Sequence, residues 1–195
     1  MARYLLVCGS RKPAPGVERP SAARTMLHAV ATALAGAGCD HELIDVRELE
    51  LPFFDGRSAD QYGSADLARV SAAIDAAEVV VVSAPAYWGG PSGVVKNLLD
   101  LLGGAAYDAG PDRVRPLAGK TVAMLVVGAD DVSAHVGAAW LRVTLAELGG
   151  SVAPRAFVVG NPRQLPRPRA LLGELADFGR YVAGLTTAGL VEAEA

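Results

Sequence analysis

The sequence predicts a doubly wound α/β fold, a sheet of five parallel strands between two helical layers, and three observations carry that reading. First, unbroken apolar runs such as Leu5-Leu6-Val7, Val79-Val80-Val81-Val82 and Val122-Ala123-Met124-Leu125-Val126-Val127 lack polar alternation, as expected of parallel strands covered on both faces. Second, the segments between these runs carry apolar residues at helical spacing and end in glycines. Third, strand and helix alternate along the whole chain. Right-handed crossovers of this length leave mainly doubly wound parallel sheets as solutions.

The elements follow in order. Residues 3–8 form a strand stopped by Gly9-Ser10, and residues 10–20 form a loop by their three prolines and one glycine. Ser21 is placed as an N-cap, and Met26, Leu27, Val30 and Leu34 share one helical face until Gly36 and Gly38 end the helix. A short second strand at 41–46 runs into an apolar, proline-interrupted loop at 49–54. A helix over 64–76 with Leu67, Val70 and Ile74 on one face leads to the third strand at 79–82. The stretch 83–100 then reads as loop and helix, followed by a variable-looking loop at 103–116 and a fourth strand over 121–127. After the loop 129–133, a helix over 134–148 is expected to turn Val136, Trp140, Val143 and Leu145 inward. A fifth strand at 152–159 should be kinked or held at an edge by Pro154. A Pro/Arg-rich loop at 160–168 and a last amphipathic helix at 170–185 complete a single domain over 1–185, and 186–195 is a tail small and polar enough to fray.

Strand order 2-1-3-4-5, the flavodoxin-like arrangement, is the choice that puts the switch point between strands 1 and 3. The loops after those two strands carry the most unusual chemistry in the chain.

At 195 residues, 51% hydrophobic and 20% charged, the chain buries a full core without disulfides or metals. Its net charge of −3 is spread without blocks, which argues against nucleic-acid partners, and no apolar run approaches the ~18 residues a membrane span needs. Two cysteines and no leader-like segment lead to the expectation of a reduced, cytoplasmic protein. Cys8 reads as a small buried hydrophobe, having neither His nor a second Cys at motif spacing. No His, Cys, Asp or Glu cluster has metal-ligand spacing, and no nucleophile triad or glycosidase carboxylate pair can be assembled.

Three loops carry the chemistry. Gly9-Ser10-Arg11, with Ser21 opening the next helix, supplies amides, hydroxyls and a cation at a helix amino end, which is what a phosphate needs. It is neither a P-loop nor a G-x-G-x-x-G, and it reads equally well as a solvated loop. Pro85-Ala86-Tyr87-Trp88-Gly89-Gly90 places two aromatics and presentable backbone at the same sheet edge, suited to a flat heteroaromatic ring or to covering the sheet's end. The third loop, after Gly128, contains Asp130 and Asp131, with His135 just beyond. The acids read first as solvated loop residues; beside a ligand they would repel anions. His28 and His41 read as surface or packing residues.

With these segments in place, the chain resembles the NADPH-dependent FMN reductase family. The resemblance rests on Gly9-Ser10-Arg11 followed by Ser21, and on residues 85–102, which follow a P-x-Y-x-G…G-x-x-K-N-x-[IL]-D-x-[IL] pattern. It covers roughly residues 3–159. Gly128 and His135 are placed like the third loop of the branch that supplies reduced flavin to monooxygenases.

The resemblance implies an FMN-binding domain in which Ser10, Arg11 and Ser21 hold the phosphate. Pro85, Ala86, Tyr87, Trp88 and Gly89 then follow the ring edge, and Gly128 permits close approach of the third loop. It also implies hydride transfer from NADPH or NADH to flavin, and onward to free FMN, a quinone, another small aromatic, or a monooxygenase that receives reduced flavin. A homodimer or homotetramer is implied as well. Two departures weaken the phosphate end: the loop between Arg11 and Ser21 is longer than the family's, and Ala23 stands where the family often has Asn, leaving Arg24 or Thr25 to compensate. The rival reading is a flavin-binding electron carrier or sensor without NAD(P)H turnover. Carriers of this fold usually dock through strongly acidic faces, and −3 is mild by comparison.

Overall fold

Five stretches of parallel backbone meet in the order β2-β1-β3-β5-β6, in a computed structural model that describes residues 2–12, 21–104, 115–161 and 169–186. The strands are β1 (Arg3–Cys8), β2 (Asp40–Asp45), β3 (Val79–Tyr87), β5 (Thr121–Val127) and an edge pair, β6 (Ser151–Val152) and β7 (Phe157–Val159), both paired parallel to β5. This is the order expected from the sequence, with the fifth strand divided in two. The break spans Ala153 to Ala156, where Pro154 has no N–H to give a ladder, so the division falls at the edge where it costs least.

Helices α1 (Ala22–Gly36) and α5 (Arg169–Ala183) cover one face, and α2 (Ala65–Ala76), α3 (Gly93–Gly103) and α4 (Asp131–Glu147) cover the other. Alternate residues of each strand enter opposite cores. Leu5, Val7, Val80, Val82 and Met124 meet Leu67, Val70, Leu98 and Leu141; Tyr4, Leu6, Val79, Val81 and Leu125 meet Met26, Leu27, Val30 and Phe178. Burial of each large apolar side chain is worth roughly 1.5–3 kcal/mol, which is why β1, β3 and β5 are apolar along most of their length. The Tyr4 hydroxyl shares its single proton between the carbonyls of Ala183 and Leu185, at 2.9 and 3.0 Å, tying the end of α5 across β1.

Helix α4 departs from expectation in phase. Leu145 does face inward, but Val136, Trp140 and Val143 are exposed. The buried stripe is Ala134, Gly137, Ala138, Leu141 and Leu145. The cause is distance: a Cβ on Gly137 would stand 2.6 Å from that of Ala86, so α4 lies too close to the sheet for large side chains along its first half. The helix also starts earlier than expected, because Asp130 caps it by accepting from the Ser133 amide at 2.7 Å. The expected loop residues 13–20, 105–114 and 162–168, and tail residues 187–195, lie outside the described residues.

Candidate functional site

The site is built where β1 and β3 end together. Cys8 pairs with Ser83 in register, and β3 continues past it. The Gly9 amide donates to the Ser83 carbonyl at 2.7 Å, the Ser92 hydroxyl to the Gly9 carbonyl at 2.7 Å, and the Ser83 hydroxyl to the Ala23 carbonyl at 2.8 Å. Three buried bonds therefore lock the first loop, the second loop and the start of α1 together. A Cβ on Gly9 would run into the Val95 side chain and stand 2.9 Å from the Ser83 carbonyl, so only glycine permits this closure.

Ser10 and Ser21 are both 1% exposed. Ser21 caps α1, its Oγ accepting from the Arg24 amide at 3.2 Å, and the Ser10 Oγ accepts from the Lys12 amide at 3.3 Å. Each hydroxyl is held by accepting, which leaves its own proton for donation. With Lys12, Ala22, Ala23, Pro85, Ala86, Tyr87, Val127, Gly128 and Ala129 they line a cavity of about 160 Å³ at the amino end of α1. Arg11 is exposed and does not line this wall, and among the described residues the cation that does is Lys12. The Lys12 ammonium lies 5.9 Å from the centre of the Tyr87 ring, bridging the first and second loops.

Arg24 and Thr25, the residues expected to compensate for the altered loop, are engaged with the protein itself. The Arg24 guanidinium is bidentate to Asp45, with Nε to Oδ2 at 2.6 Å and Nη2 to Oδ1 at 3.0 Å, and also donates to the carbonyls of Ser10 and Lys12. Its charge is spent on shaping the loop. The exposed Thr25 donates to the Ser21 carbonyl.

The second loop is a hairpin that the sequence reading missed. β3 turns at Trp88-Gly89 into β4 (Gly90–Pro91), with Ala86 opposite Pro91 and Tyr87 opposite Gly90. Both turn residues have positive φ, 54° at Trp88 and 77° at Gly89, the signature of a type I′ turn. Gly89 suits it; a bulky residue there is strained. Trp88 is fully exposed and Tyr87 44% exposed, while Pro85 and Ala86 are buried. Burial raises the Tyr87 hydroxyl above its ordinary pKa. Around this turn lies a second cavity of about 440 Å³, lined by Ala86, Tyr87, Trp88, Gly89, Ala129, Asp130, Val132, Ser133 and Val136. It shares Ala86, Tyr87 and Ala129 with the first, so the two read as one cleft with a polar end and an apolar end.

Gly128 lines the first cavity, and its reason is local: a Cβ would stand 2.6 Å from the Ala134 amide nitrogen, displacing α4. Asp130 faces the second cavity, whereas Asp131 packs on Gly160, and His135 is exposed with its ring bound to the Asp131 carbonyl. The Lys-Asn…Asp pattern that made residues 85–102 distinctive serves the fold. Lys96 pairs with Asp100, and Asn97 accepts from the Phe54 amide and donates to the Pro52 carbonyl. Among the described residues, the structure thus gathers Ser10, Ser21, Pro85, Ala86, Tyr87, Trp88, Gly89 and Gly128 at one edge, leaves Arg11 off the wall, and adds Lys12, Ala129 and Asp130. Lys12 stands next to the expected arginine, and only loop geometry distinguishes them.

The sequence model of a family described as NADPH-dependent FMN reductase matches residues 2–164. A search of curated protein sequences finds no match. Among solved structures, the chain is similar to an apo NADH:FMN oxidoreductase (EmoB), with 20% identity over 94% of this chain and 89% of that one, and a TM-score of 0.70. It is also similar to FerB, a flavoenzyme NAD(P)H:(acceptor) oxidoreductase from Paracoccus denitrificans, with 16% identity, 93% and 97% coverage and a TM-score of 0.63. A third likeness is to a flavodoxin from the domain Archaea, with 12% identity, 94% and 96% coverage and a TM-score of 0.57. These likenesses show a flavodoxin-like fold.

Proposed function

Since the chain belongs to the NADPH-dependent FMN reductase family and is an NAD(P)H-dependent flavin oxidoreductase, we propose that its cofactor is FMN, its reductant NADPH or NADH, and its acceptor a small aromatic. That acceptor is free FMN, a quinone or a similar ring. A monooxygenase drawing reduced flavin is the partner alternative. The observation that carries this reading is the two-ended cleft at the carboxyl edge of β1 and β3.

The residues fit such a group. At the polar end, Ser10 and Ser21 offer hydroxyl protons, Lys12 offers charge, and the first turn of α1 offers amides and the positive end of its dipole. Ala23, in place of a bulkier polar residue, leaves room at that helix end. At the apolar end, Tyr87, Trp88, Val132 and Val136 exclude water from a flat ring. Bound flavin supplies the acceptance and release of hydride. The protein's part is to seat the phosphate, aim the ring edge with the Ala86–Gly89 backbone, and leave the second cavity open for reductant and acceptor in turn.

We read residues 1–185 as one FMN-binding domain in the cytoplasm; no helix among the described residues is long and apolar enough to cross a membrane. A homodimer or homotetramer is supported by Val132, Val136, Trp140 and Val143, an exposed apolar stripe along α4. Anaerobic titration of the FMN-loaded protein with NADPH and NADH tests the assignment. Bleaching of the flavin absorbance, reversed by a quinone, is expected. A yellow protein that neither nucleotide bleaches would be an electron carrier instead.

A further inference from the structure

Among the described residues, the second cavity has one charged side chain in its wall, where the other polar groups are the neutral Tyr87 and Ser133 hydroxyls and the Trp88 indole N–H. The charged residue is Asp130. Its carboxylate is fixed, because Oδ1 accepts from the Ser133 amide at 2.7 Å as the cap of α4, and turning it away would uncap the helix. Among the described residues no Lys, Arg or His is within ion-pair distance of it. The helix terminus offsets about half a charge, but Asp131 adds a second carboxylate to the same turn. The mouth of this cavity is therefore negative. The opposite end of the cleft, with Lys12 and the amino end of α1, is positive.

We infer that Asp130 sets the charge class of the acceptor: the site takes neutral or cationic flat aromatics and disfavours those bearing a sulfonate or carboxylate on the ring. This rests on the flavin oxidoreductase reading for the identity of the reaction. The discrimination itself is a property of this chain's own residues, present whether or not flavin is bound. A like charge at the distance of a cavity wall, partly screened by salt, changes affinity by about three- to tenfold.

Two matched probes test it. N-phenyl-1-naphthylamine is neutral, and 8-anilino-1-naphthalenesulfonate is the same ring system carrying a sulfonate. Their fluorescence titrations on the purified full chain are compared for wild type, Asp130→Asn and Asp130→Ser, the last two retaining a capping side chain. Both substitutions should tighten the sulfonate probe about three- to tenfold relative to the neutral one, with the larger effect at low salt. In turnover, the kcat/KM ratio of a neutral naphthoquinone to its sulfonated analogue should fall by a similar factor. An unchanged probe ratio in both folded variants overturns the inference. A changed probe ratio in a protein whose flavin NADPH does not bleach leaves the charge selection standing and removes the oxidoreductase reading.

Discussion

Arg24, in the first turn of α1, grips Asp45 at the end of β2 through two hydrogen bonds and also donates to the Ser10 and Lys12 carbonyls. Both side chains are nearly buried, at 5% and 10% exposure. A cation at the candidate phosphate end thus acts as the brace of the loop, and Lys12 is left on the cavity wall. The hydrogen bond to Asp45 raises the Arg24 pKa above its ordinary value.

Arg24→Ala should therefore unfold more easily by roughly 3 kcal/mol, because it leaves Asp45 uncompensated. Urea melts measure this directly. FMN affinity should fall in the same variant as the Ser10–Lys12 segment loosens, and Arg24→Lys, which cannot reproduce the fork, should rescue little of either.

Lys12→Ala should weaken FMN by about 1.5–3 kcal/mol and riboflavin much less, since only FMN carries the phosphate. Arg11→Ala should have the smaller effect. Flavin fluorescence quenching with both ligands decides; equal losses for FMN and riboflavin would remove Lys12 from the phosphate.

The Gly128→Ala methyl group would meet the Ala134 backbone at under 3 Å. A cost of about 1–3 kcal/mol is expected. The start of α4, which Asp130 caps, should shift with it, and loss of thermal stability together with an altered acceptor preference is the measurable pair.

Burial pushes the Cys8 thiol up to about 11 from 9.0. Below pH 9 folded and unfolded chains both hold the proton and the thiol is neutral to stability. Between about pH 9 and 11 the unfolded chain ionises while the folded one resists, so roughly 2–3 kcal/mol of stability is lost as pH rises through that window. Cys8→Ala should flatten the alkaline slope of a urea-stability profile.

Trp88→Asn replaces a bulky residue at φ 54° with one that tolerates that conformation, so melting temperature should hold or rise. Val136→Glu with Trp140→Glu charges the α4 stripe and should drive the protein toward monomer in light scattering. A species that stays the same size would place any interface elsewhere.

Much of this was legible in the chain because it rests on local pattern. Uninterrupted apolar runs such as 79–82, bounded and short, read as two-sided strands, Ser21 before apolar periodicity caps a helix, and the glycine and serine after β1 mark a sheet edge that accepts ligands. The strand order follows from those signals; the family comes from the motif resemblance of residues 85–102, which also implies the nine site positions, eight of which lie at one edge. The phase of α4 was not legible, since Trp140 and Val143 obey helical spacing as well as Leu141 and Leu145 do. Only the proximity of Gly137 to Ala86 selects which stripe is buried. The same holds for the neighbours Arg11 and Lys12, and for Lys96, Asn97 and Asp100, whose spacing announces a family but whose partners are one another and a distant loop.

By itself, the sequence determined the layers, the order of strands and the edge at which a ligand sits, because periodicity and punctuation act within a few residues. The tertiary structure decided which cation faces the cleft, which carboxylate closes it, and that Trp88 stands on a strained turn at its rim. Those choices depend on how closely separate elements approach, and that distance is set by side chains far apart in the chain.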